Sequence, residues 1–331
     1  MFSTPCIPCR TRLAGFVCHA AMLCIISAAA AAADYPLRPV RIIIGFPPGG
    51  ATDLVARLLA PKFSEAFKQQ VIVDNRTGAN GVIGTDYVAK AAPDGHTLLL
   101  GTLAAMVISP AIGKVPYDPF KDFTPIGRTV ALQNIFIVHP TLPVRSLKEL
   151  IALAKARPGA LNYASSGTGS TGHLSGELFK SMSGTNIVHV PYKGGGPALT
   201  DLIAGHVEIF VAIISTAMPH VKSGKARALA VTGGKRSDAL PDVPAVGELL
   251  KGYESTNWYC MVGPANLPRP IVERVHKEMV AALAAPDVRK VLTNGGIDPS
   301  PTTPAELAAY LKSETEKWTK VIKAANLKPD Q

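Results

Sequence analysis

Short apolar runs alternate with helical stripes of apolar residues along most of the chain. Residues 40–46 are mostly apolar and end at Pro47-Pro48-Gly49-Gly50, which predicts a buried strand followed by a turn. Thr52 or Asp53 can cap the next helix, whose apolar residues at 54–59 share one face. The pattern then predicts two more strands, at 71–73 and 97–101, with a helix at 83–91 between them. This βαβαβ order predicts a parallel sheet with helices on both faces.

The same alternation starts again after a Pro-rich connection at residues 110–125. Strands are predicted at 135–138, 161–164, 187–190, 207–214 and 228–231, and helices at 147–156, 173–181 and 199–204. After 258–262 the pattern becomes helical, with helices predicted at 271–284 and 305–325. These last helices need an apolar surface to cover.

Two half-chains of this kind predict two α/β lobes, each a mainly parallel sheet flanked by helices. We expect residues 34–136 and 257–331 to form a discontinuous first lobe, because the C-terminal helices would bury against its sheet. Residues 137–256 would form the second lobe. The strands near Ile135 and Tyr259 would then be the two crossovers between the lobes, and they would act as the hinge.

Residues 1–33 have the features of a signal peptide. Arg10 and Arg12 precede a long apolar segment, and the Ala-rich end before Asp34 fits a cleavage site near Ala33. This predicts a periplasmic protein. The alternative is a single membrane anchor, because the apolar segment approaches the roughly 20 residues that span a bilayer.

Cysteine usage and charge limit the partners. Once residues 1–33 are removed, Cys260 is the only cysteine, so we expect no internal disulfide. The net charge of +10 becomes 10 − 2 = +8 without Arg10 and Arg12. The lysines and arginines are scattered rather than blocked, so no nucleic-acid partner is expected. The net positive charge either steers an anionic solute toward the protein or serves solubility. We also expect the protein to be a monomer.

Three loops share one design, in which a strand leads through a Gly-rich bend into a helix. They lie at 46–53, 165–172 and 192–196. Glycine lets the backbone approach a ligand closely, and a helix N-terminus presents unpaired N–H groups with about half a positive charge. Such a loop can hold a carboxylate or phosphate without a charged side chain. All three would meet at the carboxyl ends of the strands, where ligands bind in open α/β sheets.

Catalytic and cofactor motifs are weak by comparison. Gly167 to Gly172 matches G-x-G-x-x-G but lacks the acidic residue expected about 20 positions later, so no dinucleotide cofactor is expected. Metal-ligand spacing is also absent. The alternative function is a secreted hydrolase or transferase with Ser166 or Ser170 as nucleophile, although no G-x-S-x-G elbow is present. Its candidate bases are His173, His189 and His220. We expect a binding protein and not an enzyme.

At the Gly-rich loops and in several other motifs, the chain resembles the Bug family, the substrate-binding components of tripartite tricarboxylate transporters. The resemblance runs over nearly the whole mature chain. It rests on ordered motifs that include Phe46-Pro47-Pro48-Gly49-Gly50-Ala51-Thr52-Asp53, Ala92-Pro93-Asp94-Gly95, Pro116-Tyr117-Asp118-Pro119, Leu161-Asn162-Tyr163-Ala164-Ser165, His173-Leu174 and His189-Val190-Pro191-Tyr192-Lys193-Gly194.

The resemblance implies a type II periplasmic binding fold that closes on a small carboxylate and then docks on membrane permease subunits or a sensor. Carried over, Phe46 would wall the pocket and Gly49, Gly50 and Ala51 would offer backbone donors. Asp53 is a further candidate, although capping its helix is the simpler role. The remaining candidates bind polar ligand atoms or approach from the second lobe: Thr102, Ser166, Gly167, Gly169, Ser170, Tyr192, Lys193 and Gly194.

One departure from the family bears on the ligand. Many members carry an acidic residue after the strand that begins at Val207, whereas here that position is Ala212. An ammonium group would then lack a buried partner, which disfavours an amino-acid ligand. We therefore expect a carboxylate with an apolar or aromatic body.

Overall fold

The structure is a computed structural model that describes residues 35–192, 194–324 and 327. The predicted signal peptide and cleavage site at 1–33, and the candidate Lys193, lie outside the described residues.

Three parallel strands begin the first sheet. β1 (Val40–Ile44) pairs in parallel with both β2 (Val71–Asn75) and β3 (Thr97–Thr102). The connections carry α1 (Ala51–Phe67), a 3₁₀ turn (Ala79–Gly81) and α2 (Val82–Ala89). Residues 42 and 44 of β1 are fully buried against apolar residues of α1, as expected for a parallel strand covered on both faces. The predicted βαβαβ order is confirmed.

The longest strand, β4 (Phe123–Val138), follows a π-helical turn (Ala104–Ile108) and a short α3 (Ser109–Ile112). Only its last four residues were expected from the sequence. Pro125 was assigned to the Pro-rich connection, but it lies inside β4 at a register shift against β9 (Thr256–Pro264). Such an irregularity accommodates a residue that has no N–H to donate.

The second sheet contains β5 (Asn162–Ser165), β6 (Val188–Pro191), β7 (Ile209–Ile213) and β8 (Arg227–Val231). β5 pairs in parallel with β6 and β7, whereas β4 pairs antiparallel with β7 and β8. Its helices are α4 (Leu147–Ala156), α5 (Thr171–Ser183), α6 (Gly195–Ala204), α7 (Ile214–Lys222) and α8 (Val246–Leu249).

The C-terminal helices pack against the first sheet. They are α9 (Arg269–Ala284), α10 (Pro286–Asn294) and α11 (Pro304–Ala324), and the short β10 (Ile297–Pro299) pairs antiparallel with β4. Val275 of α9 shares a core with Ile42 of β1 and Phe63 of α1. Trp318 of α11 shares a second core with Trp258 of β9. Among the described helices, none combines the length and apolar character that crossing a bilayer requires.

The two sheets are joined through β4. The strand order is β2-β1-β3-β9-β4-β7-β5-β6, and β4 pairs with β9 as far as Gln133 and with β7 from Asn134 onward. The parallel strands therefore lie at the two outer ends, and the antiparallel strands β4 and β9 lie between them. The result is the predicted two-lobed α/β fold, with a continuous strand passing from one lobe to the other.

Candidate functional site

The three Gly-rich loops converge on one cavity of about 500 Å³, called here the central cavity. Loop 1 (residues 46–53) follows β1, loop 2 (165–172) follows β5 and loop 3 (192–196) follows β6. The cavity lies at the carboxyl ends of these strands, as the sequence predicted. Eight of the predicted site residues line it: Phe46, Gly50, Ala51, Thr102, Ser166, Gly169, Ser170 and Gly194.

In loop 1 the backbone itself forms the start of α1. Gly50 is the N-cap residue, in an extended conformation, and no side chain of the described residues caps this helix. The first N–H groups of a helix have no intrahelical partner, and the helix dipole makes that end positive. Because Gly50, Ala51 and Thr52 line the central cavity, this end of α1 opens into it. Pro47 and Pro48 line the same wall without any N–H to donate.

Asp53 and Gly49 were predicted to contact ligand, but the structure places both outside the lining of the central cavity. The N–H of Gly49 donates to Asp53 Oδ2 at 3.0 Å, so this donor is already occupied. Asp53 also accepts from Arg57 Nε at 2.8 Å and from Asn75 Nδ2 at 3.0 Å. The Arg57 guanidinium lowers the pKa of Asp53 to about 2, with further help from Gly49 and Asn75. Asp53 therefore fixes the shape of loop 1, and Gly49 lines a neighbouring cavity of about 420 Å³.

In loop 2 the side chain of Ser170 caps α5 by accepting from the N–H of His173 at 3.2 Å. Gly167 and Gly169 adopt φ values of 128° and 74°, which favour glycine. Gly167 was predicted to contact the ligand but does not line the cavity, and its N–H donates to Ser165 Oγ at 3.1 Å. Gly172 allows α5 to start against β7, since a Cβ there would collide with the carbonyl oxygen of Val211.

Loop 3 is tied to loop 2 by the backbone. The N–H of Gly194 donates to the carbonyl oxygen of Ser166 at 3.2 Å, and Gly194 is the N-cap residue of α6, which no side chain in the described part of the chain caps. Tyr192 does not line the cavity. Its hydroxyl donates to Asp201 Oδ2 at 2.7 Å, and burial together with Asp201 raises the pKa of Tyr192 to about 12. That bond draws the tyrosine side chain toward α6.

Ala212 is fully buried and lies outside the lining, whereas its neighbour Ile213 lines the central cavity. Successive residues of a strand face opposite sides, so a position one residue away points the other way. The residue of β7 that lines the central cavity is therefore Ile213 and not Ala212, the position that the resemblance to the Bug family indicated.

Three asparagines and a tyrosine line the cavity without having been predicted: Asn80, Asn134, Asn257 and Tyr259. Asn257 and Tyr259 lie on β9, which returns to the cavity from distant sequence. Asn257 is almost buried, and its Oδ1 atom has no hydrogen-bond partner among the described residues. The sequence did carry one signal for them: in a strand, residues 257 and 259 lie on the same face, so a cavity contact by one predicts a contact by the other.

Among the described residues, the lining contains no charged side chain. Its polar groups are hydroxyls, amides and backbone N–H groups at three helix starts. Burial raises the pKa of Tyr259 to about 12, so its hydroxyl stays protonated and can donate. Phe46, Pro48 and Ile213 add apolar surface. The arrangement can hold an anionic group by dipoles and neutral donors, with a hydrocarbon portion against the apolar wall.

The predicted base His189 contacts Ser165, which was not one of the predicted nucleophiles. His189 Nε2 lies 2.7 Å from Ser165 Oγ, which is fully buried, and not beside Ser166 or Ser170. Burial lowers the pKa of His189 to about 3, with His173 and Lys180 adding to the effect, which makes it a weak base. Within the described part of the chain, no group of three His, Cys, Asp or Glu side chains could hold a metal ion.

The sequence profile of the tripartite tricarboxylate transporter family receptor matches residues 55–327. Protein BugT of Bordetella pertussis is 36% identical over 309 residues, which cover 92% of this chain and 94% of BugT.

Two solved structures show the same fold at similar identity. Rpa4515 of R. palustris with adipate is 36% identical, with a TM-score of 0.80, and covers 89% of this chain and 100% of that chain. MatC (Rpa3494) from Rhodopseudomonas palustris with bound malate is 32% identical, with a TM-score of 0.75, and covers 87% of this chain and 100% of that chain.

Proposed function

The chain belongs to the Bug family of tripartite tricarboxylate transporter receptors, which are periplasmic solute-binding proteins, and from this premise we propose that it captures a small carboxylate. The carboxylate would bind in the central cavity, and the two lobes would close around it. The loaded protein, acting as a monomer, would deliver the solute to membrane permease subunits or present it to a sensor. The mature chain would begin after cleavage near Ala33.

The observation that carries this proposal is the convergence of three Gly-rich helix starts on one cavity. Each helix start contributes a positive dipole end, and together they favour a negatively charged group. Backbone donors from α1, with Gly50 and Ala51, lie in the first lobe, whereas those of α5 and α6 lie in the second. A carboxylate gripped from both sides would stabilise the closed form.

The body of the ligand is proposed to be apolar or aromatic. Phe46, Pro48 and Ile213 supply an apolar wall, and among the described residues no acidic side chain lines the cavity to pair with an ammonium group. The relatives with adipate and malate support a carboxylate as the anchoring group. Adipate, with its longer methylene chain, matches the wall better than malate.

Closure is proposed to occur at the strand segments that join the lobes. β4 changes sheets between Gln133 and Asn134, and the chain re-enters the first sheet at Thr256. The hydroxyl of Thr232 links these segments, since it accepts from the N–H of Asn134 at 2.9 Å and donates to the carbonyl oxygen of Ser255 at 2.7 Å. Small dihedral changes at these few residues would move one lobe relative to the other.

The test is calorimetric titration of the mature protein with adipate, malate, citrate, glutamate, benzoate and terephthalate. We expect at least one acid with an apolar or aromatic body to bind and to be recovered unchanged. A ligand at 100 times its Kd should stabilise the protein by about 2.7 kcal/mol in a thermal melt. Tight binding of glutamate alone would contradict the apolar body. Failure of every acid to bind, or consumption of an acid by the protein, would contradict the function itself.

A further inference from the structure

Two histidines hold the inner side of loop 2. His173, in the first turn of α5, accepts a hydrogen bond at its Nδ1 from the N–H of Gly169 at 3.1 Å. The backbone N–H of His173 donates to Ser170 Oγ. Gly169 and Ser170 both line the central cavity, so His173 contacts the two residues of the loop that face the ligand from this side.

His189, at the second residue of β6, holds the other half of the same loop. Its Nε2 atom lies 2.7 Å from Ser165 Oγ. That hydroxyl accepts from the N–H of Gly167 at 3.1 Å and donates to the carbonyl oxygen of Gly167 at 3.0 Å. His189 therefore acts on the bend at Gly167 through one intervening hydroxyl.

The two imidazole rings form one rigid unit. Their centroids are 3.6 Å apart and their planes differ by 6°, which is a stacked arrangement. The ring centroids of Tyr163, in β5, and His189 are 4.9 Å apart, and the Tyr163 hydroxyl donates to Glu177 Oε1 at 2.7 Å. Because His173 Nδ1 accepts a hydrogen bond, that nitrogen carries no proton. These ring contacts thus join β5, β6 and α5, and both histidines also reach loop 2 through the hydrogen bonds described above.

We propose that the stacked pair His173 and His189 are positioning residues that set the backbone of loop 2 for anion binding. Neither ring lines the central cavity. His173 orients the Gly169 end of the loop, and His189 orients the Gly167 bend through Ser165. The inference rests on the proposed function, since it assigns these histidines to the same ligand site.

A purely structural role predicts something different. If the rings served only to fill space and stack, an aromatic replacement would preserve the site and a small polar one would damage it. If their nitrogen atoms position the loop, a polar replacement that keeps the hydrogen bond would preserve the site and an aromatic one would damage it. Asparagine places an amide oxygen near the position of histidine Nδ1, and glutamine places an amide group near the position of Nε2.

The experiment uses two matched pairs in the full mature protein, His173→Asn against His173→Phe and His189→Gln against His189→Phe. The ligand-free readout is amide hydrogen exchange at Gly169 and Gly167, measured by NMR. We expect exchange at Gly169 to be about tenfold faster in His173→Phe, as for a lost hydrogen bond of about 1.4 kcal/mol, and close to wild type in His173→Asn. We expect the same contrast at Gly167 for the His189 pair.

The second readout is the affinity for whichever acid of the panel binds the wild type. We expect a loss of about tenfold in each phenylalanine variant and of less than about threefold in the Asn and Gln variants. Any other order, including loss in all four variants that remain folded by circular dichroism, overturns the positioning role. Because the exchange measurement needs no ligand, a failure of the proposed function would not be confused with a failure of this inference.

Discussion

The carboxylate of Asp53 joins three parts of the first lobe without facing the central cavity. It accepts from Gly49 in loop 1, from Arg57 one turn along α1 and from Asn75 at the end of β2. Asn75 also donates to the carbonyl oxygen of Phe46 at 3.1 Å. A single buried anion therefore determines where the start of α1 lies relative to the neighbouring strand.

We expect Asp53→Asn to lower the free energy of unfolding by about 1 kcal/mol near neutral pH, because charge-assisted hydrogen bonds become neutral ones. The folded-state pKa of about 2 lies below the usual value near 4 for an unfolded chain. The contribution is therefore present above pH 4 and is lost as the pH falls toward 2. Urea unfolding of both proteins between pH 7 and pH 2 measures it. If the difference in the free energy of unfolding between the two proteins stays constant over this pH range, the stabilising role of the Asp53 charge is contradicted.

Ile213 tests the charge preference of the central cavity. An aspartate there would place a negative charge in the lining, whereas asparagine has nearly the same shape without the charge. We expect Ile213→Asp to weaken binding of a panel acid at least about 30-fold, equivalent to about 2 kcal/mol of repulsion. Ile213→Asn should cost less than about fivefold. Equal losses in the two variants would show that the bound group is not an anion.

At these positions the sequence predicted part of the site and missed the rest for definable reasons. Glycines before a helix start are visible in one stretch of chain, so Gly50, Gly169 and Gly194 could be placed at the cavity. One partner of Asp53 is Asn75, which is 22 residues away, and no local pattern connects them. Ala212 and Ile213 face opposite sides of β7, and the wholly apolar run 209–214 does not show which side faces the cavity.

At the scale of elements, α11 is fixed to β9 by one buried carboxylate. Glu314 is 3% exposed, and its Oε2 atom accepts from Trp258 Nε1 at 2.9 Å and from Trp318 Nε1 at 3.0 Å. Lys317 pairs with the other carboxylate oxygen. The last helix is thus attached to the strand that carries Asn257 and Tyr259 into the central cavity.

We expect Glu314→Leu to destabilise the protein by about 2–4 kcal/mol, because two buried indole N–H groups lose their acceptor. Glu316→Leu on the exposed face of the same helix is the matched control and should change stability by less than about 0.5 kcal/mol. Guanidinium unfolding followed by tryptophan fluorescence gives both values. Similar losses in the two variants would mean that helix propensity, rather than the buried acceptor, is responsible.

Two elements show why patterns alone mislead about length and type. β4 extends from Phe123, yet Pro125 was assigned to the predicted Pro-rich connection. Two register shifts against β9 lie in this half of the strand, and pairing with β9 and β10 supplies the order that local propensity lacks. α7 was missed because it begins at Ile214 directly after β7 and contains Pro219, which a sequence pattern treats as a break.

At the scale of the whole molecule, the lobes also meet beside the central cavity. Gly296 lies in the turn before β10, which pairs with β4 in the first sheet. Ile214 begins α7 in the second lobe. A Cβ at position 296 would lie 2.5 Å from Ile214 Cγ2, so the absence of a side chain permits this approach. Ile213, the residue before Ile214, lines the cavity, which places the contact next to the central cavity.

We expect Gly296→Ala to force this contact apart and to shift the equilibrium toward an open form, with about tenfold weaker binding of a panel acid. Gly296 has φ of 69°, so alanine also incurs backbone strain there, and Gly224→Ala is the control with φ of 73° and no neighbour within 4 Å. Each variant should lose about 1 kcal/mol of stability from the left-handed conformation. Only Gly296→Ala should also bind the acid more weakly. In small-angle scattering with the acid present, it should have a larger radius of gyration than Gly224→Ala. Equal affinities in the two variants would mean that ligand capture does not require the lobes to close at this contact.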